Sequence, residues 1–274
     1  MMSSLVSRSA SLRAFAGAAI AASVIAFAPT AAVRAQDGPP RPLDVPYVPT
    51  PQNVVDTMLK VAGVSRRDFL IDLGCGDGRI PVTAAGRFGT KGFGVDLNPV
   101  RVKEAKENVA KNGVAKLVDI VQGDLFETDI SKATVISMYL LPTVNMKLRP
   151  YVLNLKPGTR IVSHDFDMGD WKADKVEKLD YKTIYYWVVP AKVAGAYQMK
   201  VGREAFDLKL EQKFQDVTGT IKIGDKPVPI ANGKLVGANL SFDVPMADGK
   251  VRKFEGNAYD LGKLGGKDWS AQRV

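Results

Sequence analysis

The chain has 274 residues, of which 46% are hydrophobic and 24% are charged, and its formal net charge is +9. This composition is typical of a globular protein and excludes a mostly disordered chain, a collagen-like fibre and a multi-span membrane protein. The single cysteine, Cys75, excludes a disulfide framework within the chain and a cysteine-based metal cluster. The single histidine, His164, excludes a histidine-rich metal site, so we predict no metal ion.

Residues 1–35 are typical of an export signal. They carry three arginines and no acidic residue, and residues 14–28 are uncharged and rich in alanine. Small residues flank the arginine in residues 33–35 (VRA), so we predict cleavage after Ala35 and an exported protein, periplasmic or secreted. Two alternatives stay open, an uncleaved membrane anchor and a mitochondrial transit peptide.

The next part of the chain predicts an extended arm and then an α/β domain. Residues 36–51 hold six prolines and cannot form a helix. Helical spacing of apolar residues predicts a helix from residue 52 to about residue 63. Short apolar runs then predict five parallel strands, at residues 69–73, 93–96, 118–122, 134–138 and 160–163. Helices are predicted between them, one ending near residue 87 and one spanning residues 99–112. We therefore predict a doubly wound, Rossmann-like α/β domain over residues 52–189.

Residues 190–274 have the alternating pattern of antiparallel strands. Their turn signals are Gly224-Asp225, Asn232-Gly233 and Asp248-Gly249, of which the last two are strong hairpin dipeptides. We predict a small antiparallel β-domain of five or six strands. Basic and acidic residues alternate along these strands, which favours a solvated surface over a nucleic-acid site.

A glycine-rich motif follows the first strand of the α/β domain. Residues 72–79 (DLGCGDGR) place glycines at alternate positions before a helix, where backbone N–H groups approach a ligand closely. Asp96 and Asp124 follow the second and third predicted strands. The carboxyl ends of parallel strands meet at one edge of the sheet. The carboxylates of Asp72, Asp96 and Asp124 are therefore expected to converge there.

A nucleoside ligand fits such an edge, because a carboxylate after the second strand can accept hydrogen bonds from ribose hydroxyls. The spacing G-x-G-x-G differs from the G-x-G-x-x-G of dinucleotide sites. Asp72 and Asp77 flank the loop and would repel a pyrophosphate, whereas they suit an amino group. The pattern favours S-adenosylmethionine, with a dinucleotide as the alternative.

Six segments within residues 45–189 match a known family. They are residues 45–51 (VPYVPTP), 72–80 (DLGCGDGRI), 96–99 (DLNP), 123–125 (GDL), 139–142 (YLLP), and Val162-Ser163 with Phe166 and Trp171. They resemble the class I, seven-stranded S-adenosylmethionine-dependent methyltransferases. Within that class they are similar to the lysine methyltransferases that modify the c-subunit of ATP synthase or the adenine nucleotide translocase.

The resemblance implies a set of site residues. Those implied to bind S-adenosylmethionine are Tyr47, Asp72, Gly74, Gly76, Asp77, Gly78, Asp96, Asn98, Asp124 and Leu125. Tyr139 and Pro142 are implied to line the channel to the methyl acceptor, a protein lysine in these relatives. By position alone, His164 and Asp165 after the fifth predicted strand are candidates for the general base.

The leader and the β-domain are departures from those lysine methyltransferases. A second hypothesis is therefore an exported binding protein that keeps the methyltransferase fold without catalysis and uses the β-domain for recognition. Under the first hypothesis the partner is a methyl-acceptor protein or a small molecule. We predict no specific nucleic acid, and a membrane only if the leader is uncleaved.

Overall fold

The computed structural model describes residues 43–246, 248–259 and 262–274, so the predicted leader and residues 36–42 of the predicted arm lie outside the described residues. In the described part the helices are α1 (Gln52–Val61), α2 (Arg79–Phe88), α3 (Pro99–Lys111) and α4 (Pro142–Val152). The first sheet contains β1 (Phe69–Leu73), β2 (Lys91–Asp96), β3 (Val118–Gln122), β4 (Val135–Met138), β5 (Arg160–His164), β6 (Lys175–Leu179) and β7 (Lys182–Val188). None of these helices has the length and apolar character needed to span a membrane.

The first sheet is the predicted doubly wound sheet, and the predicted fold class is confirmed. Its strand order is β3-β2-β1-β4-β5-β7-β6, in which β1 to β5 are parallel and β7 is antiparallel to β5. Ile71, Ile136 and Ile161 in the central strands are fully buried, because helices cover both faces of a parallel sheet. β6 and β7 form a hairpin with a two-residue turn, Asp180-Tyr181.

Two helix starts are built by local sequence. Asn98 caps α3 by accepting a hydrogen bond from the Val100 N–H at 2.9 Å, and Pro99 occupies the first helical position. α4, which the sequence pattern does not predict, also starts with a proline, Pro142, and has Pro150 inside it.

The second sheet closes on itself. Its strands are β8 (Gly195–Val201), β9 (Glu204–Lys213), β10 (Asp216–Ile223), β11 (Lys226–Pro229), β12 (Ala231–Val236), β13 (Asn239–Pro245), β14 (Val251–Tyr259), β15 (Lys263–Gly265) and β16 (Trp269–Arg273). The order β11-β10-β12-β13-β14-β15-β16-β8-β9 closes through a further pairing of β9 with β10. Its interior is filled by buried side chains such as Tyr197, Leu235 and Phe242. The antiparallel character is confirmed, but the predicted five or six strands are corrected to nine in the described residues.

One predicted hairpin turn is wrong. Asn232-Gly233 lies inside β12 at a register irregularity, where Asn232 has a φ of +51°. Gly233 pairs with Val217 of β10, and a Cβ on Gly233 would lie 2.1 Å from the Val217 carbonyl oxygen. The chain turns instead at Gly237-Ala238, between β12 and β13. The turns predicted at Gly224-Asp225 and Asp248-Gly249 are confirmed.

The turn between β9 and β10 packs against the first sheet. Phe214 stacks on Trp171 with ring centroids 5.9 Å apart and has a φ of +53°, which is rare for a bulky residue. Gln215 is buried and donates a hydrogen bond to the Lys172 carbonyl at 2.7 Å. Asp170 bridges the two sheets, because it pairs with Arg149 on α4 at 2.5 Å and with Lys213 of β9 at 3.2 Å.

Candidate functional site

A cleft of about 810 Å³, partly open to solvent, lies at the carboxyl edge of the first sheet. Residues 43–50 of the arm form one wall, and the loops after β1, β2 and β4 form the others. Nine of the predicted site residues line it: Tyr47, Asp72, Gly74, Gly76, Asp77, Asp96, Asn98, Leu125 and Tyr139.

The other three predicted site residues lie outside the cleft lining. Gly78 is the N-cap of α2 in the left-handed conformation, and a Cβ there would lie 3.0 Å from the Ala105 side chain. Asp124 accepts a hydrogen bond from the Phe126 N–H at 2.9 Å and so shapes the loop after β3. Pro142 is exposed at the first turn of α4. Their contacts with a cofactor or acceptor therefore stay predictions, and the structure shows for each a local role beside the cleft.

The glycines in the loop after β1 leave space that a side chain at the same positions would fill. Gly74 and Gly76 have φ values of +73° and +54°, which disfavour side chains. A Cβ on Gly74 would lie 2.8 Å from Leu140 Cδ2, and one on Gly76 would lie 2.5 Å from Tyr47 Cε2. The loop backbone can therefore approach both the arm and a ligand closely.

Asp72, at the penultimate position of β1, is a buried acid at the floor of the cleft. Its exposed fraction is 2%, and its Oδ1 accepts a hydrogen bond from Ser137 Oγ at 2.7 Å. Burial, opposed by this hydrogen bond and reinforced by the negative charges of Asp96 and Asp77, raises the pKa of Asp72 to about 7. A buried carboxylate whose charged neighbours are both acidic is a favourable place for a ligand's ammonium group.

Asp96 is held rigidly at the end of β2. Its Oδ2 accepts a hydrogen bond from the Gly76 N–H at 2.8 Å, and its Oδ1 accepts one from the Asn98 N–H at 2.9 Å. Each carboxylate oxygen keeps a further lone pair for a ligand hydroxyl. The carboxylate thus ties the loop after β1 to the loop after β2 and faces the cleft between them.

The arm is fixed across the cleft by contacts that sequence reasoning missed. Arg79 pairs with Asp77 at 2.6 Å and donates to the Thr50 carbonyl at 2.8 Å. Although burial opposes ionisation of Asp77, the hydrogen bonds and charge of Arg79 hold the pKa of Asp77 below its usual value. The Arg101 guanidinium lies 4.4 Å from the Tyr47 ring centroid. Both arginines lie in or just after the segments that carry the family resemblance, but only the fold brings the arm to them.

The wall beside Tyr139 is aromatic. Tyr139 contacts His164 with ring centroids 3.9 Å apart and stacks on Phe166 at 6.0 Å. His164 is fully buried, and its Nδ1 lies 3.2 Å from the Thr50 hydroxyl. Burial lowers the pKa of His164 to about 4, so its imidazole is neutral at pH 7.

The proposed bases lie behind this wall. His164 does not line the cleft. Asp165 pairs with Lys182 at 2.9 Å, and although burial opposes its ionisation, the hydrogen bonds from Lys182 and the Thr183 N–H hold its pKa below the usual value. A carboxylate held in its ionised form by a lysine is a poor proton acceptor, so the geometry favours a positioning role for both residues.

The residues present fit S-adenosylmethionine. Asp72 is a buried acid suited to an ammonium group, Asp96 can accept from a diol, and the glycine loop would be blocked by any Cβ. The nearby helix start of α2 adds backbone N–H groups and a positive dipole end, which suit a ligand carboxylate.

Comparison with known proteins agrees with this fit. The family model described as the ANTKMT methyltransferase domain matches residues 72–175. A protein-lysine N-methyltransferase of Saccharolobus islandicus is 49% identical over 53% of this chain and 94% of its own length. An ATP synthase c-subunit lysine N-methyltransferase of Xenopus laevis is 27% identical over 62% of this chain and 70% of its own length.

A solved structure is similar over the same share of the chain. It is described as an RNA methyltransferase from Salinibacter ruber in complex with S-adenosyl-L-homocysteine. It is 52% identical, with a TM-score of 0.53, over 53% of this chain and 96% of its own chain. The Saccharolobus and Salinibacter proteins thus carry different acceptors in their names, protein lysine and RNA.

Proposed function

This chain belongs to the methyltransferase family of the ANTKMT methyltransferase domain, and we propose that it transfers the methyl group of S-adenosylmethionine to the side-chain amine of a polypeptide lysine. The observation that carries the cofactor assignment is the buried Asp72, whose charged neighbours are acidic, at the floor of a glycine-lined cleft. Asp96 would hold the ribose, and Tyr47 would cover the cofactor from the arm.

Charge favours a lysine over RNA as the acceptor. An RNA site needs a basic surface that neutralises phosphates. Around this cleft, Arg79 is paired with Asp77, and Lys182 is paired with Asp165. Arg101, which also lines the cleft, is paired with Glu104. These pairs largely neutralise the basic side chains around the cleft, which suits an acceptor amine better than a phosphate backbone.

The chemistry requires positioning more than proton transfer by the protein. Bound S-adenosylmethionine supplies a methyl group on a cationic sulfur, which keeps the electron pair of the broken C–S bond when the amine nitrogen forms the new N–C bond. The lysine must first lose a proton, because its ordinary pKa is about 10.4. Packing of the amine against the Tyr139 ring, which Phe166 supports, would favour its neutral form, with the proton released to solvent before the amine reaches the ring.

His164, behind the wall, keeps the wall in place. His164 supports the Tyr139 ring and connects it to Thr50 of the arm. Its neutral imidazole adds no positive charge beside the acceptor amine. The arm and the acceptor wall are therefore linked through His164, so the position of the arm and the position of the Tyr139 ring depend on each other.

The test is methyl transfer from S-adenosyl-L-[methyl-³H]methionine to lysine-containing peptides, with isothermal titration of S-adenosylmethionine. We expect Asp96→Ala to lose both binding and transfer, because two loops and the ligand share its carboxylate. The matched control is Asp119→Ala, which removes an exposed acid from β3. Label in RNA oligonucleotides and not in peptides contradicts the lysine assignment, and binding without any transfer supports the non-catalytic hypothesis.

We also propose that residues 1–35 direct export, as their arginines and alanine-rich segment predict. The N-terminal sequence of protein expressed in a secreting host tests this. A mature chain starting at Gln36 supports cleavage, whereas retention of the leader contradicts it.

A further inference from the structure

The hairpin of β6 and β7 ends beside the acceptor wall. Leu179 pairs with Lys182, and Asp180-Tyr181 forms the turn between them. β7 is antiparallel to β5, with Ile184 opposite His164 at the carboxyl end of β5. The turn therefore lies beyond that end, at the same edge of the sheet as the cleft.

Short contacts fix the turn there. Lys182 Nζ lies 2.9 Å from Asp165 Oδ2 and 6.0 Å from the Tyr139 ring centroid. The Thr183 N–H donates to Asp165 Oδ1 at 2.9 Å, which anchors the start of β7 to the loop after β5. The side chain of Lys182, the residue after the turn, therefore reaches the Tyr139 ring on the acceptor side of the cleft.

Tyr181 in this turn has no structural reason to be aromatic. Its side chain is 100% exposed, the highest value for a large hydrophobic side chain among the described residues. The positive φ that the turn requires is at Asp180, with +54°. Two-residue turns favour glycine, asparagine and aspartate rather than an aromatic residue. An exposed aromatic ring beside an active site is a common anchor for a protein partner.

We infer that Tyr181 binds the acceptor polypeptide next to the methylated lysine, through a basic residue flanking that lysine. This inference rests on the proposed function and adds the sequence context of the acceptor. The ring offers a face for a lysine or arginine side chain, and the adjacent exposed Asp180 offers a carboxylate to the same cation. Lys182 is already neutralised by Asp165, so it does not repel that cation as an unpaired lysine would.

The test uses the full chain and two peptides that differ in one respect. Each peptide has a single lysine, flanked by arginine in one and by alanine in the other. We measure kcat and KM for methyl transfer with wild type, Tyr181→Ala and Tyr181→Phe, together with the Kd for S-adenosylmethionine. The matched control is Tyr259→Ala in β14, where the side chain is 58% exposed in the second sheet.

For the arginine-flanked peptide, we expect Tyr181→Ala to raise KM about fivefold to tenfold, with kcat and the cofactor Kd unchanged. Tyr181→Phe and Tyr259→Ala keep the wild-type KM, and Tyr181→Ala no longer distinguishes the two peptides. Because the Tyr181 side chain is fully exposed, its truncation removes no buried packing and the thermal midpoint stays the same.

Two results overturn the inference in different ways. A wild-type KM for Tyr181→Ala on the arginine-flanked peptide overturns it and leaves the proposed function intact. Wild type that binds S-adenosylmethionine but methylates neither peptide overturns the proposed function, and the inference fails with it. Transfer to an RNA oligonucleotide that depends on Tyr181 assigns the ring to base stacking and also overturns the inference.

Discussion

Replacing Asp72 with asparagine should stabilise the unliganded protein and weaken cofactor binding. Burial raises the pKa of Asp72 from 3.8 to about 7. At 1.36 kcal/mol per pKa unit, ionising this side chain in the folded state costs about 4 kcal/mol above pH 7. Asparagine carries no charge, and its Oδ1 can still accept the hydrogen bond from Ser137. We therefore expect the free energy of unfolding of Asp72→Asn at pH 8 to rise by up to about 4 kcal/mol.

The pH dependence of this gain follows from proton binding. Between about pH 4 and pH 7 the folded state keeps the proton on Asp72, whereas the unfolded state loses it. The contribution of Asp72 to stability therefore falls as the pH rises through this window. The advantage of Asp72→Asn should be small near pH 4.5 and complete at pH 8, as measured by urea unfolding at both values.

The same variant should bind S-adenosylmethionine more weakly at pH 8. Loss of a charge-assisted contact with the ligand ammonium should raise Kd by about 10- to 100-fold in isothermal titration. Asp68→Asn is the control, because Asp68 is paired with Arg160. Burial opposes ionisation of Asp68, but hydrogen bonds from Thr134 and Ser65 and the charge of Arg160 lower its pKa. This control should lose stability at pH 8. Equal unfolding free energies of Asp72→Asn and wild type at pH 8, or an unchanged Kd, would refute the argument.

Three further predictions test other parts of the molecule. Gly76→Ala should weaken S-adenosylmethionine binding at least about tenfold, because its Cβ would lie 2.5 Å from the Tyr47 ring; Gly86→Ala, with nothing within 4 Å, should keep the wild-type Kd. Burial lowers the pKa of His164 to about 4, so the NMR signals of this single histidine should titrate near pH 4, and a midpoint near 6.5 contradicts its burial. Phe214→Ala should lower the free energy of unfolding by about 1–3 kcal/mol in urea, since it removes the stacking of the β9–β10 turn on the first sheet; an unchanged midpoint contradicts this.

The first sheet could be predicted because its signals are local. β1 and β3 are each followed at once by a glycine, and the structure places both strands on the predicted residues. α4 lacks such a signal, because Pro150 and Asn145 lower its helix propensity. Burial of Val144 and Leu148 against the sheet stabilises it instead, and that contact is not visible in the local pattern.

The closed sheet shows how pairing between distant segments overrides turn chemistry. Asn232-Gly233 is a favoured hairpin dipeptide, yet Gly233 pairs with Val217 of β10, and only glycine fits that close to the Val217 carbonyl. The actual turn, Gly237-Ala238, has a weaker signal. The unrecognised turn at Gly237-Ala238 accounts for one of the strands missing from the predicted count, because it separates β12 from β13.

The cofactor half and the acceptor half of the site also differ in how far the sequence predicts them. The cofactor half follows from one motif and the ends of neighbouring strands, so Asp72, Gly76 and Asp96 could be placed from sequence. The acceptor half joins Thr50 to His164 across 114 positions of the chain, and no local pattern predicts that contact. Pro142, which the family resemblance places at the acceptor channel, is exposed at the start of α4, and its contact with an acceptor stays a prediction.

The charge distribution of the site explains why these halves must differ. A sulfonium and a lysine ammonium are both cations, so they repel each other at the distance that methyl transfer requires. The carboxylates Asp72 and Asp96 lie on the cofactor side, while the acceptor wall presents the Tyr139 ring backed by a neutral His164. A protonated lysine would be disfavoured at this wall by desolvation and by the positive sulfonium of bound S-adenosylmethionine. The arrangement therefore favours the neutral amine at this wall.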